Sequence, residues 1–148
     1  MLLENYIKAY IKEHNYNNKN ILNVFDFDLT LYKDNQWLEN QVKEVKNSMK
    51  NESCITILCT ARNIQLEDET MSLLYSKGLI FDKCYFKKTS RKEPAEIYKA
   101  KVFRKILGKN KNITQVNFWD DLSANIKAAG DIVKVNGITY NGYLIQSL

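Results

Sequence analysis

Four separate stretches of this 148-residue chain carry carboxylates, hydroxyls and cations of the kinds that act on phosphate groups. In chain order they are Asp26-Phe27-Asp28-Leu29-Thr30, then Thr60-Ala61-Arg62, then a basic segment with Lys87, Lys88, Arg91 and Lys92, and finally Asp120-Asp121. Carboxylate oxygens are hard ligands that suit Mg²⁺, which is commonly held by a few carboxylates together with phosphate oxygens. The residue types alone therefore indicate a site for a divalent cation and a phosphate.

The spacing of the acids suggests a different chemical role for each of them. Side chains two residues apart on a strand point the same way, so Asp26 and Asp28 can both address one site. One of the two can attack phosphorus while the other gives and takes protons. Thr60 offers a hydroxyl and a backbone N–H to phosphoryl oxygens, and the Asp120-Asp121 pair can complete the shell of a cation. A lysine would offset the negative charge and keep the attacking carboxylate ionised.

Strand-like and helix-like segments alternate along the chain from residue 21 onwards. The hydrophobic pattern predicts strands over 21–25, 54–59, 82–86, 116–119 and 132–135, and helices over 36–50, 65–77, 94–107 and 123–129. After the fifth strand, Asn141-Gly142 predicts an edge hairpin. Such alternation is typical of an α/β protein with a central parallel sheet and helices on both of its faces.

Each of the four chemical stretches follows a predicted strand. Ligands of open parallel sheets bind just beyond the carboxyl ends of the strands, so the sheet would bring the four stretches together. We expect a single domain over 1–148. In it, 1–20 form an N-terminal amphipathic helix and a loop, 21–137 form the catalytic core and 138–148 form the edge strands.

The amino-acid composition argues against several classes of protein and of catalytic site. Hydrophobic residues make up 45% and charged residues 26%, as in a soluble globular domain, and no apolar run approaches the roughly 20 residues that a membrane span needs. Three cysteines without a close pair favour a reducing, cytoplasmic compartment and argue against structural zinc. The single histidine, His14, lies in a polar stretch, which argues against a Ser-His-Asp mechanism. The net charge of +5 favours anionic partners.

Taken together, the four stretches resemble the motifs of the haloacid dehalogenase superfamily of aspartate-nucleophile phosphatases. The matching segments are Phe25-Asp26-Phe27-Asp28-Leu29-Thr30-Leu31, Leu58-Cys59-Thr60-Ala61-Arg62, Lys92-Glu93-Pro94-Ala95-Glu96-Ile97-Tyr98 and Phe118-Trp119-Asp120-Asp121-Leu122-Ser123-Ala124-Asn125. The resemblance covers about residues 21–137. Receiver domains use similar groups, but they place the acid pair on the first strand and the lysine on the last. Here the acid pair on the fourth strand follows the lysine, which excludes that class.

The resemblance implies a Rossmann-like three-layer fold and Mg²⁺-dependent phosphatase activity. Asp26 would be the nucleophile that forms an aspartyl-phosphate, and Asp28 would be the general acid/base. Thr60 and a lysine would complete the catalytic set. The lysine is assigned to Lys92, with Lys99, Lys87 and Lys88 as the alternatives.

The resemblance also implies the ligands of the cation. The metal would be held by Asp26, Asp28 (through its backbone carbonyl), Asp120 and Asp121, while Asn125 stands where many members carry a further acid. The candidate substrate-binding residues are Thr30, Arg62, Lys87, Lys88 and Arg91. The last three belong to the basic segment after the third predicted strand, which either binds the phosphates of a nucleic acid or only supplies the motif lysine.

The spacing between the motifs bears on the substrate. There are 31 residues between Asp28 and Thr60 and again 31 between Thr60 and Lys92, too few for a cap domain in either gap. An open site accepts bulky phosphorylated substrates, and the basic charge favours nucleic acid. In outline the chain resembles the 3′-phosphatase modules of polynucleotide kinase-phosphatases and small RNA-repair-like phosphatases. A protein or small-metabolite phosphatase is the alternative enzyme, and a catalytically silent binding module is the alternative outside enzymes.

Overall fold

Five parallel strands form the central sheet of the computed structural model, which describes residues 2–5, 18–88 and 92–146. The elements are β1 (Ile21–Phe25), β2 (Tyr32–Lys33), β3 (Gln36–Trp37), α1 (Glu39–Lys50), β4 (Cys54–Asn63), a 3₁₀ turn (Ile64–Leu66), α2 (Glu67–Ser76), β5 (Lys83–Lys87), α3 (Ala95–Lys109), β6 (Gln115–Asp120), α4 (Ser123–Val135) and β7 (Thr139–Leu144). The strand order is β5-β4-β1-β6-β7, and every neighbouring pair is parallel. The predicted Rossmann-like α/β architecture is confirmed.

The strand order reverses beside β1, where the chain has filled one side of the sheet and crosses to the other. Open α/β sheets bind their ligands at such a reversal, beyond the carboxyl ends of the strands. Phe25, the last residue of β1, pairs in register with Trp119 of β6. The topology therefore places Asp26 and Asp120 next to each other at the point where ligands are expected.

Hydrophobic clusters cover both faces of the sheet. Beneath α3 and α4, the first cluster contains Leu22, Val24, Ile55, Ile57, Cys59, Val102, Phe103, Ile106, Leu107, Ile113, Val116, Phe118, Ala129 and Val133. On the opposite face, the second contains Phe25, Phe27, Leu31, Val42, Val45, Leu58, Leu74, Leu79, Phe81, Phe86 and Trp119. Successive residues of a strand point to opposite faces, so β1 and β4 contribute to both clusters. Their nearly continuous apolar sequences reflect this burial on two sides.

The predicted strand over 132–135 is wrong, because these residues form the last turn of α4. Asn125, Ala129 and Val133 are buried at intervals of four residues, which is the spacing of a helix face. A short apolar run such as Ile132-Val133 fits a buried helix as well as a strand. The helix therefore continues through the segment that was predicted to be the fifth strand.

The predicted hairpin around Asn141-Gly142 is also wrong. Thr139–Leu144 is one continuous strand, parallel to β6. Close packing, and not a turn, accounts for the glycine: a Cβ added at Gly142 would lie 2.4 Å from Cγ2 of Ile126 in α4. The strand thus approaches the helix more closely than a side chain at this position would permit.

We expect Gly142→Ala to lower the free energy of unfolding by about 1–3 kcal/mol, the range for overpacking a tight contact. Ile126 is β-branched and restricted in its side-chain rotamer, so its methyl group cannot readily move aside. Urea denaturation measures the change. Gly108→Ala in α3 is the matched control, because a Cβ there meets nothing within 4 Å. Equal losses in the two variants would contradict the packing explanation.

Two differences concern the ends of helices. The helix predicted over 36–50 begins at Glu39, because Gln36–Trp37 pair with Tyr32–Lys33 in a small antiparallel hairpin. Of the predicted N-terminal helix, residues 2–5 are helical, and the remainder, with His14, lies outside the described residues. Within the described ranges, no helix has the length and apolar character needed to cross a membrane. The single-domain organisation over 1–148 stays a prediction.

Candidate active site

Lys99 lies between two buried aspartates at the carboxyl ends of β1 and β6. Its Nζ is 3.0 Å from Oδ1 of Asp26 and 2.6 Å from Oδ2 of Asp120. The exposed fractions are 1% for Lys99, 5% for Asp26 and 0% for Asp120. Charged groups are buried to this extent only when they are paired, so the three side chains form one electrostatic unit.

Asp121 brings a third carboxylate to this unit. One oxygen from each of Asp26, Asp120 and Asp121 lies within 4.8 Å of the others. Asp121 is only partly buried, whereas the other two acids are buried. Three carboxylates facing the single ammonium of Lys99 leave an excess of negative charge, which a bound cation would neutralise.

The protonation equilibria of the cluster reflect this excess. Burial raises the pKa of Asp26 to about 8, and it does so against the attraction of Lys99, which lowers the value. Burial also raises the pKa of Asp121. Burial by itself would lower the pKa of Lys99, but the attraction of Asp26 and Asp120 is stronger, so the pKa of Lys99 is raised. Lys99 therefore stays protonated, and these carboxylates have no second positive partner within residues 18–88 and 92–146.

The oxygens of Asp120 are already engaged by other groups. Oδ1 accepts a hydrogen bond of 2.9 Å from the backbone N–H of Leu122, and Nδ2 of Asn125 donates to both oxygens at 3.2 Å. Asn125 is itself buried, and its Oδ1 has no hydrogen-bond partner among the described residues. An unpartnered buried oxygen calls for a missing donor or cation nearby.

The donor set fits a hard divalent cation. Asp26 and Asp121 offer carboxylate oxygens. Asn125, which contacts Asp120, has an amide oxygen, Oδ1, without a hydrogen-bond partner among the described residues. Oxygen ligands with an excess of negative charge are the chemistry that Mg²⁺ and Ca²⁺ sites share. The cluster can therefore hold a metal ion, and the side chain of Asp121 is more available to it than that of Asp120.

Asp28 is held by Arg62 and is not part of the carboxylate cluster. The guanidinium binds it through two bonds, from Nε to Oδ2 at 2.9 Å and from Nη2 to Oδ1 at 3.0 Å. Arg62 in turn donates to Oγ1 of Thr70 at 3.1 Å and stacks 4.7 Å above the ring of Phe27. The hydrogen bond to Asp28 raises the pKa of Arg62. A bidentate pair of this kind fixes the orientation of the carboxylate.

The turn after β1 places the remaining polar groups. Thr30 donates through Oγ1 to Oδ2 of Asp26 at 3.3 Å, so it contacts the acid that was predicted to be the nucleophile. Leu29 adopts a positive φ of 61°, an unfavourable conformation for a branched residue and one that recurs at functional sites. At the end of β4, buried Thr60 accepts a hydrogen bond of 3.1 Å from the backbone N–H of Arg62.

The assignment of the site lysine to Lys92 has to be corrected. Lys92 is exposed before the start of α3, whereas Lys99, held as an alternative, contacts both acids. The sequence contains a signal for this: Lys99 precedes Val102, Phe103 and Ile106 at helical spacing on the buried face of α3. A lysine on an apolar helix face needs a buried anionic partner.

The other predicted substrate-binding cations lie around the site or outside the described residues. Lys87 donates from Nζ to the backbone oxygen of Glu93, Lys88 is exposed, and Arg91 falls in the part of the chain that is not described. The supporting roles of Phe27 and Thr70 beneath Arg62 were not predicted. No local pattern marks them, because both contacts arise only from the tertiary fold.

Comparison with known proteins adds two findings. The family model described as HAD domain family 1 in Swiss Army Knife RNA repair proteins matches residues 6–136. No curated protein matches the sequence. One solved structure with a similar fold is the "Structure of the Pnkp1/Rnl/Hen1 RNA repair complex", with a TM-score of 0.68 and 13% identity. The alignment covers 85% of this chain and 43% of that chain, so the present chain spans less than half of that structural relative.

Proposed function

Because the chain belongs to HAD domain family 1 of the Swiss Army Knife RNA repair proteins, we propose that it is a magnesium-dependent phosphatase that acts on nucleic-acid 3′ ends. The family match confirms the resemblance to the haloacid dehalogenase superfamily and supports phosphatase chemistry in general. The observation that carries the specific proposal is the position of Lys99 between Asp26 and Asp120, beside Asp121.

In the first step the ionised carboxylate of Asp26 attacks the phosphorus of the substrate. Burial alone disfavours this ionised form, and the charge of Lys99, together with a bound cation, would favour it. Lys99 donates to one oxygen of Asp26 and Thr30 to the other, which fixes the direction in which the carboxylate faces. The new bond between Asp26 and phosphorus forms as the bond from phosphorus to the ester oxygen breaks. The positive charge of Lys99 stabilises the negative charge that accumulates around Asp26.

Asp28 moves the protons in both steps. It donates a proton to the departing ester oxygen, and it then accepts a proton from the water that attacks the phosphorus of the aspartyl-phosphate. That second attack releases inorganic phosphate and regenerates Asp26. Because both oxygens of Asp28 accept from Arg62, Asp28 has to release one of these bonds and take up a proton before the first transfer, and the remaining bond then positions it.

Asp26, Asp121 and the backbone carbonyl of Asp28 would hold the Mg²⁺, with Asp120 supporting them through its contact with Lys99. When bound, the ion neutralises charge on the phosphoryl oxygens and on the carboxylates.

Removing Mg²⁺ with EDTA is therefore expected to abolish phosphate release, and Ca²⁺ should restore it poorly because its coordination is larger and looser. Equal turnover in EDTA and in Mg²⁺ would refute the metal assignment.

The two acids of the fourth stretch are expected to differ in metal binding. Asp121→Ala should raise the Mg²⁺ concentration for half-maximal activity by about ten-fold or more, on the scale of lost metal-site contacts. Asp120→Ala should raise it less, because the oxygens of Asp120 contact Lys99, Leu122 and Asn125. A titration of phosphate release against Mg²⁺ compares the two variants, and a larger shift in Asp120→Ala would reverse the assignment.

The short segments between the motifs support an open site and a bulky substrate. The β2–β3 hairpin and α1 occupy the chain between Asp28 and Thr60, while α2 and β5 occupy the chain that follows Thr60. The family and the structural relative both carry RNA repair in their descriptions, and the net charge of +5 suits a polyanion. These features favour a nucleic-acid end over a phosphoprotein or a small metabolite.

Lys88 and Arg91, two cations that follow β5 in the sequence, provide a specific test of this substrate class. Neutralising both should raise the KM for an oligonucleotide 3′-phosphate by about three- to ten-fold and flatten its salt dependence, because two phosphate contacts are lost. Lys87 is left unchanged, since it donates to the backbone oxygen of Glu93. Hydrolysis of a simple aryl phosphate should hardly change. A parallel loss on both substrates would mean that the loop supports the core and not the nucleic acid.

The proposed function is tested by phosphate release in Mg²⁺ from four matched substrates: a 3′-phosphorylated oligonucleotide, a 5′-phosphorylated one, a phosphopeptide and a sugar phosphate. The 3′-phosphorylated oligonucleotide should have the highest kcat/KM. Preference for the phosphopeptide or the sugar phosphate would instead indicate a protein phosphatase or a small-metabolite phosphatase. Release from none of the four would favour a catalytically silent binding module.

A further inference from the structure

Four exposed lysines form a group that we call the lysine patch: Lys83 in β5, Lys88 directly after it, and Lys105 and Lys109 in α3. The ammonium groups of Lys83 and Lys105 both face the ring of Tyr85, at 5.0 and 5.8 Å from its centroid. Lys109 follows Lys105 by one helical turn. The repulsion of Lys109, Lys83 and Lys88 lowers the pKa of Lys105, as expected for charges that lie close together.

The patch has no acidic counterpart among the described residues. Of the ion pairs that these residues form, none includes a lysine of the patch. The contrast is Lys101, one turn before Lys105, which pairs with Glu93. Like charges four residues apart destabilise a helix, so Lys105 and Lys109 oppose the stability of α3. The positive charge is therefore available to an anion outside the chain.

The patch begins at the rim of the candidate active site. β5 ends at Lys87, which pairs in register with Asn63, three residues after Thr60, and Lys88 follows directly. On α3, Lys99 lies in the site and Lys109 lies ten residues further along the same helix. At 1.5 Å per residue, this separation is about 15 Å. The charge thus extends from the site along the side of the molecule.

We infer that the lysine patch binds the phosphate backbone of a single-stranded nucleic acid whose 3′ end occupies the active site, an inference that rests on the proposed function. In the stacked, helical form a strand has one phosphate per about 3.4 Å of its axis, so a strand of this form presents about four phosphates over 15 Å. The patch consists of lysines around one partly buried tyrosine ring, so what it offers a partner is positive charge, which favours a polyphosphate backbone.

The test compares two triple variants with the same change in charge. Lys83→Ala/Lys105→Ala/Lys109→Ala removes the part of the patch away from the rim. Lys43→Ala/Lys46→Ala/Lys50→Ala removes three exposed lysines from α1, on the opposite face of the sheet. Fluorescence anisotropy measures the Kd of each variant and of the unchanged protein for an unphosphorylated 12-nucleotide single strand at several salt concentrations. Circular dichroism melts confirm that all three proteins are folded.

The patch variant should bind the strand about ten-fold more weakly at 50 mM salt, and the slope of log Kd against log salt should fall by about 2, as expected for three lost contacts on a single strand. The control variant should bind like the unchanged protein. Equal weakening in both variants, or none in the patch variant, overturns the inference. Displacement of the strand by polyglutamate at equal charge concentration also overturns it, in favour of an acidic protein partner.

These outcomes are separable from those of the proposed function, because the strand carries no 3′ phosphate and binding requires no turnover. Release of phosphate from a 3′-phosphorylated strand together with unchanged binding by the patch variant refutes the patch alone. Weakened binding by the patch variant in a protein that releases no phosphate supports the patch and refutes the phosphatase.

Discussion

Asp26→Asn is expected to lower phosphate release by about 10⁴-fold or more, because an amide cannot attack phosphorus and no other group in the site replaces it. The fold should remain intact. The amide introduced by this substitution retains an oxygen that can accept from Lys99, and Lys99 keeps its 2.6 Å contact with Asp120. Burial disfavours the charge of Asp26, so its removal should leave the metal-free melting temperature unchanged or higher.

The matched control for this variant is Asp34→Asn. Asp34 undergoes the same chemical change in the exposed turn of the β2–β3 hairpin, where asparagine also tolerates the positive φ of 50°. It should retain full activity. Phosphate release from an aryl phosphate under saturating Mg²⁺ measures both variants. More than about one per cent of the activity remaining in Asp26→Asn would remove Asp26 from the role of nucleophile.

Lys99→Met is expected to have the second-largest effect, on both activity and stability. It leaves Asp26 and Asp120 buried without their positive partner, and breaking a buried pair in this way costs about 3–5 kcal/mol. It also removes the charge that stabilises the attack by Asp26. Lys92→Ala should leave both properties almost unchanged, because Lys92 is exposed and outside the cluster. Urea denaturation and phosphate release measure the pair of variants.

The double variant Lys99→Met/Asp120→Asn guards against a failure of the single variant to fold. Neutralising Asp120 removes one of the two unpaired charges, so stability should recover in part while activity remains lost. Loss of activity in Lys92→Ala with retention in the Lys99 variants would return the role to Lys92.

The acids of the site were predictable because local patterns mark them. Asp26 and Asp120 each follow a run of strand-forming residues, and parallel sheets align the ends of such runs. Placing Lys99 beside the acids required the face of a helix to be considered: Lys99 shares the buried face of α3 with Phe103, and Lys92 lies before the helix begins. Lys92 was favoured because the segment Lys92-Glu93-Pro94 resembles a lysine-bearing motif that opens a helix.

The errors in the fold have a common physical origin. Ile132-Val133 and Asn141-Gly142 carry patterns that suit a strand and a turn, but neighbouring elements decide their conformations. Val133 and Ala129 lie on the buried face of α4 and belong to the same hydrophobic cluster, and Gly142 is required by the close approach of Ile126. The bidentate contact between Arg62 and Asp28 was equally inaccessible, since it joins residues 34 positions apart in the chain.

The central claim, that phosphate passes through a covalent bond to Asp26, is tested most directly in the Asp28→Asn variant with p-nitrophenyl phosphate. This substrate has a leaving group that needs no proton, so the first step can proceed without Asp28, while hydrolysis of the aspartyl-phosphate lacks its base. We predict a rapid release of about one equivalent of nitrophenolate per enzyme and, after an acid quench, a phosphoryl group on the peptide that contains Asp26. Nitrophenolate and inorganic phosphate appearing together from the first turnover, with no phosphoryl group on that peptide, would contradict the account.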